Sequence, residues 1–175
     1  GSFAMRSAGC AYNDIVDRHL DARVERTRNR PLASGAMSPR TAWAIVFALC
    51  GMGLAVLLLL PGFSQAVALA SLALVAAYPF MKRITWWPQA WLGIVFSWAA
   101  LVGWPAVTGE VDPPMLWLYA GSICWVIGYD TIYALQDVDD DALIGVRSSA
   151  LRLGARVRSG VVLFYTIALA AWAGA

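Results

Sequence analysis

The stretch TAWAIVFALCGMGLAVLLLLPGFSQAVALASLALVAAYPFM, from Thr41 to Met81, contains no Asp, Glu, Lys or Arg. An α-helix rises about 1.5 Å per residue, so about 20 apolar residues cross a hydrocarbon layer about 30 Å thick. Pro61-Gly62 breaks the stretch into two such lengths. Two more uncharged runs, Ile84 to Thr108 and Val161 to Ala175, read the same way. A soluble helical protein would need polar outer faces on these helices, and they have none. Composition agrees: 60% of residues are hydrophobic, against roughly 45–50% in soluble domains, and mean hydropathy is +0.63. The expected fold is all-α, a multi-pass transmembrane helix bundle in a lipid bilayer, forming one domain over 1–175.

Outward from that stretch, the first helix runs from residue 1 to about 24, and 25–38 is a loop broken by Pro31 and Gly35. Ser38-Pro39 supplies an N-cap and a first-turn proline for a helix over 39–60. Further helices are expected at 64–81, at 86–108 with Pro88 near its start, and from 115 into a second acidic segment. A polar loop over 139–155 then leads to the last helix. The chain opens on Gly-Ser rather than Met and stops inside an apolar run, so it reads as a fragment cut at both ends. Cys10, Cys50 and Cys124 are scattered, which supports neither disulfides nor metal spacing. His19, the single histidine, reads as a membrane-interface residue.

Charge is distributed on one side. Arg23, Arg26, Arg28, Arg30 and Arg40, then Lys82 and Arg83, then Arg147, Arg152, Arg156 and Arg158 all fall in alternate connections. The intervening connections carry only Glu110 and Asp112. The positive-inside rule puts the basic side in the cytoplasm, with the protein in a bacterial inner membrane. No nucleic-acid partner is expected.

Two acidic segments stand out at cytoplasmic helix ends. In Asn13-Asp14-Ile15-Val16-Asp17-Arg18-His19-Leu20-Asp21, a helix places Asn13, Asp17, Asp21 and Asp14 within an arc of about 100°. Asp130, Tyr133, Asp137 and Asp141 form a second stripe, within about 80° on a continuous helix. A carboxylate at membrane depth costs a few kcal/mol or more. The negative end of a helix dipole adds to that cost, so a cation should compensate. The plainer alternative makes these acids interfacial residues paired with nearby Arg, and it is preferred for Asp139, on the far side of the second stripe. Hard oxygen donors without His or Cys suit Mg²⁺, which keeps several waters and joins a few carboxylates to substrate phosphates. Lys82, Arg83, Arg28, Arg30 and Arg147 could hold a diphosphate and stabilise its departure, unless they serve only as positive-inside charge. A diphosphate inside an apolar bundle implies a lipid tail, hence an enzyme acting on a polyprenyl diphosphate.

Asn13-Asp14-x-x-Asp17-x-x-x-Asp21 resembles the first signature of UbiA-type intramembrane prenyltransferases, and Asp130-Thr131-x-Tyr133-Ala134-x-x-Asp137-x-x-Asp140-Asp141 the second. Met5–Cys10, Arg28-Asn29-Arg30-Pro31-Leu32 and Tyr78-Pro79-Phe80-Met81-Lys82-Arg83 are similar to the branch that uses 4-hydroxybenzoate. The resemblance implies about nine helices around a central cavity, of which this chain matches the second to the seventh. It also implies Mg²⁺ on Asn13, Asp17, Asp21, Asp137 and Asp141, with Asp17, Asp21, Asp137, Asp141 and Arg83 as catalytic residues. Asn13, Asp14, Arg28, Arg30, Lys82, Arg83, Asp130, Tyr133 and Arg147 are then the candidates for substrate contact. The implied reaction moves the polyprenyl group to the ring carbon ortho to the hydroxyl of 4-hydroxybenzoate, an early step towards ubiquinone. Other aromatic acceptors belong to the same family. A lipid phospho-alcohol transferase would show one contiguous acidic block with a Gly, and an ion transporter would place its acids near the midplane. Neither pattern is present.

Overall fold

The computed structural model describes residues 1–175 and is entirely helical. It contains α1 (Ser2–Asp21), α2 (Pro39–Leu57), α3 (Gly62–Ile84), α4 (Pro88–Ser97), α5 (Ala99–Thr108), α6 (Pro113–Ala134), α7 (Val138–Ile144), α8 (Ser149–Leu153) and α9 (Val157–Ala173). Short 3₁₀ turns at Leu135–Asp137 and Gly154–Arg156 complete the set. Four segments are long and apolar enough to cross a membrane: Pro39–Leu57, Gly62–Ile84, Pro88–Thr108 and Ser149–Ala173. The protein is therefore a multi-pass membrane protein. Its contacts form two compact units, Gly1–Leu60 and Pro61–Ala175.

Unit one is the α1–α2 pair with the turns that join them. Ser38 accepts the Thr41 backbone N–H at 3.1 Å, with Pro39 at the first helical position, as the sequence predicts. Ile15, Ala42 and Val46 form its buried centre, flanked by Tyr12 and Cys50. Met5 of α1 lies over Gly53 of α2, where any larger residue would displace the thioether.

Unit two is held by close approaches and indole hydrogen bonds. Gly121 and Gly128 lie two turns apart on α6 and receive Trp172 and Tyr165, also two turns apart, from α9. A methyl group at Gly121 would stand 2.6 Å from the Trp172 ring, closer than any real contact. Lipid tails are as apolar as the side chains, so association in a membrane depends on such close packing. The outward residues of this unit are large and apolar, among them Val107, Leu116, Leu163 and Leu169. Trp91 and Trp98, seven apart on α4 and its end, donate to the carbonyls of Leu74 and Val67 of α3 at 2.9 Å each. The indoles of Trp91 and Trp98 thus find carbonyl partners within the bundle.

Three boundaries differ from the sequence expectation. The expected helix over 86–108 tightens at Trp98, whose N–H bonds Val95 three residues back, so α4 and α5 meet there. Helix α3 continues through Pro79, which forfeits only one backbone hydrogen bond, and ends at Ile84. Lys82 and Arg83 therefore sit in its last turn, the favourable end for cations. The expected loop over 139–155 contains α7, α8 and a 3₁₀ turn.

Gly128→Leu should lower thermal stability by about 1–3 kcal/mol, because Tyr165 occupies the volume the new side chain needs. A melt in detergent against the parent protein measures it. The one-sided basic charge sets a second expectation. A cysteine placed at Glu110 should react with an impermeant thiol reagent only from the side opposite the basic connections 23–40, 82–87 and 142–158.

Candidate functional site

In unit one, α1 is a single regular helix, so the acidic face expected from the sequence exists. Asp17 is fully buried and Asp21 nearly so. Both are near the C-terminal end of α1, where orphan carbonyls already carry negative charge. The compensating cation comes from the following turn. Nη1 of Arg30 lies 2.8 Å from Asp14 Oδ1 and 3.0 Å from Asp21 Oδ2. Asp17 lies on the helical turn between these two acids. Thr27, buried, donates its hydroxyl to the Asp21 carbonyl at 2.9 Å and ties the turn that carries Arg30 to the end of α1. Asn13, half-buried, shares the face. Arg28 instead pairs with Glu25 at 2.6 Å, with both side chains largely exposed. Such a pair contributes about 0–1 kcal/mol and yields readily to a stronger anion. A cleft of about 500 Å³ lies between Arg18, His19 and Ala22 and the turn from Leu32 to Pro39; none of the four acidic-face residues lines it.

The second acidic segment is not one continuous helix. Helix α6 carries Asp130 and Tyr133, then the backbone tightens into the 3₁₀ turn Leu135–Asp137. Three residues per turn replace 3.6, so the stripe computed for a continuous helix does not run unbroken from Asp130 to Asp141. The break reverses the electrostatics. Asp137 becomes the N-cap residue of α7, and Asp139, Asp140 and Asp141 occupy its first turn. Acids there face the positive end of a helix dipole, whereas the sequence expectation had placed them at a negative end. Asp139 is exposed, while Asp137 and Asp141 are half-buried.

At the end of α3, Arg83 lies over the Phe80 ring at 5.6 Å. Arg147 donates its backbone N–H to the Lys82 carbonyl at 2.9 Å and its guanidinium to the Ile84 carbonyl at 2.6 Å. Next to it, the Ser149 N–H donates to Gln89 Oε1 at 2.9 Å, and the Ser149 and Thr131 hydroxyls are 2.6 Å apart. Gln89, Thr131 and Ser149 are all buried. None of these three stands out in the sequence motifs. Gln89 could have been flagged as a lone amide in an apolar helix, which costs stability unless it is hydrogen-bonded.

The donors on α1 and around α7 are carboxylate and carboxamide oxygens, the chemistry that suits Mg²⁺. No three carboxylate, imidazole or thiol groups converge into a preformed cage.

The sequence pattern of the UbiA prenyltransferase family matches residues 1–175. A mitochondrial 4-hydroxybenzoate polyprenyltransferase of Caenorhabditis elegans is 47% identical over 165 residues, which are 94% of this chain and 46% of that protein. The Arabidopsis thaliana protein of the same name is 43% identical over 97% of this chain and 42% of its own length. The chain thus spans less than half of these relatives. The apo structure of a UbiA homolog from Aeropyrum pernix K1 superposes with a TM-score of 0.82 at 33% identity, covering 96% of this chain and 64% of that one.

Arg30→Gln should destabilise the protein by about 1–3 kcal/mol, because it leaves the carboxylates of Asp14 and Asp21 without the guanidinium that joins them. Adding Asp21→Asn should recover part of that loss, as measured by thermal unfolding of the single and double variants. A double variant as unstable as the sum of the singles would show that the bridge is not the source.

Proposed function

The chain belongs to the UbiA prenyltransferase family, and from that premise we propose that it carries the diphosphate-binding part of a 4-hydroxybenzoate polyprenyltransferase. The relatives, 4-hydroxybenzoate polyprenyltransferases by name, support the acceptor. The observation that carries the proposal is the face of α1. Two buried carboxylates, Asp17 and Asp21, share it with Asn13 and Asp14, and a guanidinium already lies across it. A buried acidic face that holds a cation has the chemistry needed to receive a cation-bound diphosphate.

In this reading Asn13, Asp17, Asp21, Asp137 and Asp141 would hold Mg²⁺, which when bound supplies positive charge to the diphosphate oxygens. Arg30, Arg28, Lys82 and Arg83 bind the diphosphate directly and stabilise the charge that grows on it. Arg30 exchanges one carboxylate partner for a phosphate oxygen, and Arg28 releases Glu25. The allylic C–O bond breaks, and its electron pair leaves with the diphosphate. The ring carbon ortho to the hydroxyl of 4-hydroxybenzoate attacks the allylic carbon. Loss of the ring proton restores aromaticity. The apolar helices keep water from the allylic cation. Asp130 and Tyr133, at the end of α6, are assigned to substrate contact. The location assigned is a bacterial inner membrane with the basic side in the cytoplasm. The relatives' names are mitochondrial, and the matrix side is the counterpart of that face.

Membranes containing the complete protein, Mg²⁺, labelled 4-hydroxybenzoate and a series of prenyl diphosphates test the activity. Product formation that EDTA abolishes is expected, and full turnover in EDTA would remove the metal. Asp17→Asn and Asp137→Asn should each lower the rate about 10²–10³-fold, the usual cost of one electrostatic contact to a leaving group. Asp137 holds the N-cap position of α7 without a side-chain cap hydrogen bond, so Asp137→Asn, which keeps its size, should change the melting temperature little. Asp139→Asn, at an exposed position, should cost little in rate. Equal small losses at Asp137 and Asp139 would reduce the second segment to a solvated helix end.

A further inference from the structure

The last carbonyls of a helix have no partner within it. At the end of α3, Met81 C=O accepts the Thr85 N–H at 2.8 Å, and the next ones are met from far along the chain. Arg147, 63 residues beyond Ile84, satisfies the Lys82 carbonyl with its backbone and the Ile84 carbonyl with its side chain. Its guanidinium also lies over the Trp86 ring at 5.5 Å. One residue therefore holds three alternate positions of the segment that carries Lys82 and Arg83. Two residues on, Ser149 grips Gln89 of α4 and Thr131 of α6 through buried hydrogen bonds. The end of the turn between α7 and α8 is thus fastened to both sides of the α3–α4 connection. That turn follows α7, whose first turn carries Asp139, Asp140 and Asp141.

We propose that Arg147 is a positioning residue: as a remote cap on α3 it fixes Lys82 and Arg83 in register with the acidic segment of α7. The proposal rests on the reading that Lys82 binds diphosphate. In this role Arg147 acts through α3 rather than on the substrate: its guanidinium donates to the Ile84 carbonyl and lies over the Trp86 face. A lysine can keep a cation over the ring and one donor to the carbonyl, whereas methionine keeps only the apolar stem.

Two measurements on the complete protein test this. In the first, Arg147→Met should raise KM for the prenyl diphosphate about ten- to a hundredfold, since small misplacements of binding groups have effects of that size. Arg147→Lys should restore most of the loss. Adding Arg147→Met to the double variant Lys82→Met/Arg83→Met should make it no worse, because Arg147 acts only through those two contacts. Losses that add would make Arg147 an independent ligand and overturn the proposal. So would an Arg147→Met protein with a lowered melting temperature and an unchanged KM. In the second, spin labels at Ile84→Cys and Leu143→Cys, both exposed positions, report the register without any substrate. With the native cysteines replaced by alanine, their distance distribution should broaden in Arg147→Met and stay narrow in Arg147→Lys. An unchanged distribution in Arg147→Met overturns the proposal. A Lys82→Met variant with normal KM overturns the diphosphate reading instead, and the distance distribution still decides the clasp.

Discussion

A charge or a backbone polar group next to hydrocarbon must find a partner within the protein, because no water is there to supply one. Much of the structure answers that demand. The acids at the end of α1 are met by Arg30 from the following turn. Those of the second segment are met differently: the helix stops, and a new one starts with the acids at its favourable end. The carbonyls ending α3 are met by Arg147, and the indoles of α4 by carbonyls of α3. The Arg147 cap and the indole bonds join residues distant in sequence, so the need for polar partners also organises the tertiary fold.

The same demand explains why this scaffold suits diphosphate chemistry. A catalytic face for a polyanion needs strong cations, and a membrane tolerates them only near carboxylates. The Arg30 bridge is such a compromise, since acids and base stabilise one another until a substrate competes for the base. The bridge is only part-buried, which lowers the cost of exchange. In unit two the cations Lys82 and Arg83 sit at a helix C-terminus, where the dipole favours them. Around these polar ends the helices pack through glycines. Gly121 and Gly128 let α6 and α9 approach closely, with Gly93 doing the same for Ile123 of α6. Rigid packing of this kind keeps polar groups where the chemistry needs them.

The sequence by itself determined the all-helical membrane fold, because uncharged runs of spanning length have no other stable state in water or lipid. It determined the Ser38-Pro39 helix start and the acidic face of α1, since both depend on local backbone geometry alone. It also marked Asp139 as the solvent-facing acid of its segment. Only the tertiary structure decided that Arg30 rather than Arg28 bridges the first acids, that the second segment breaks at Leu135–Asp137, and that Arg147 caps α3. A helical wheel assumes 100° per residue and sees only neighbours on one helix. A 3₁₀ turn violates the assumption, and a cap supplied from 63 residues away lies outside that view. Which of several similar arginines pairs with which acid is a matter of reach and burial, and those are set by the packing of whole helices rather than by the spacing of letters.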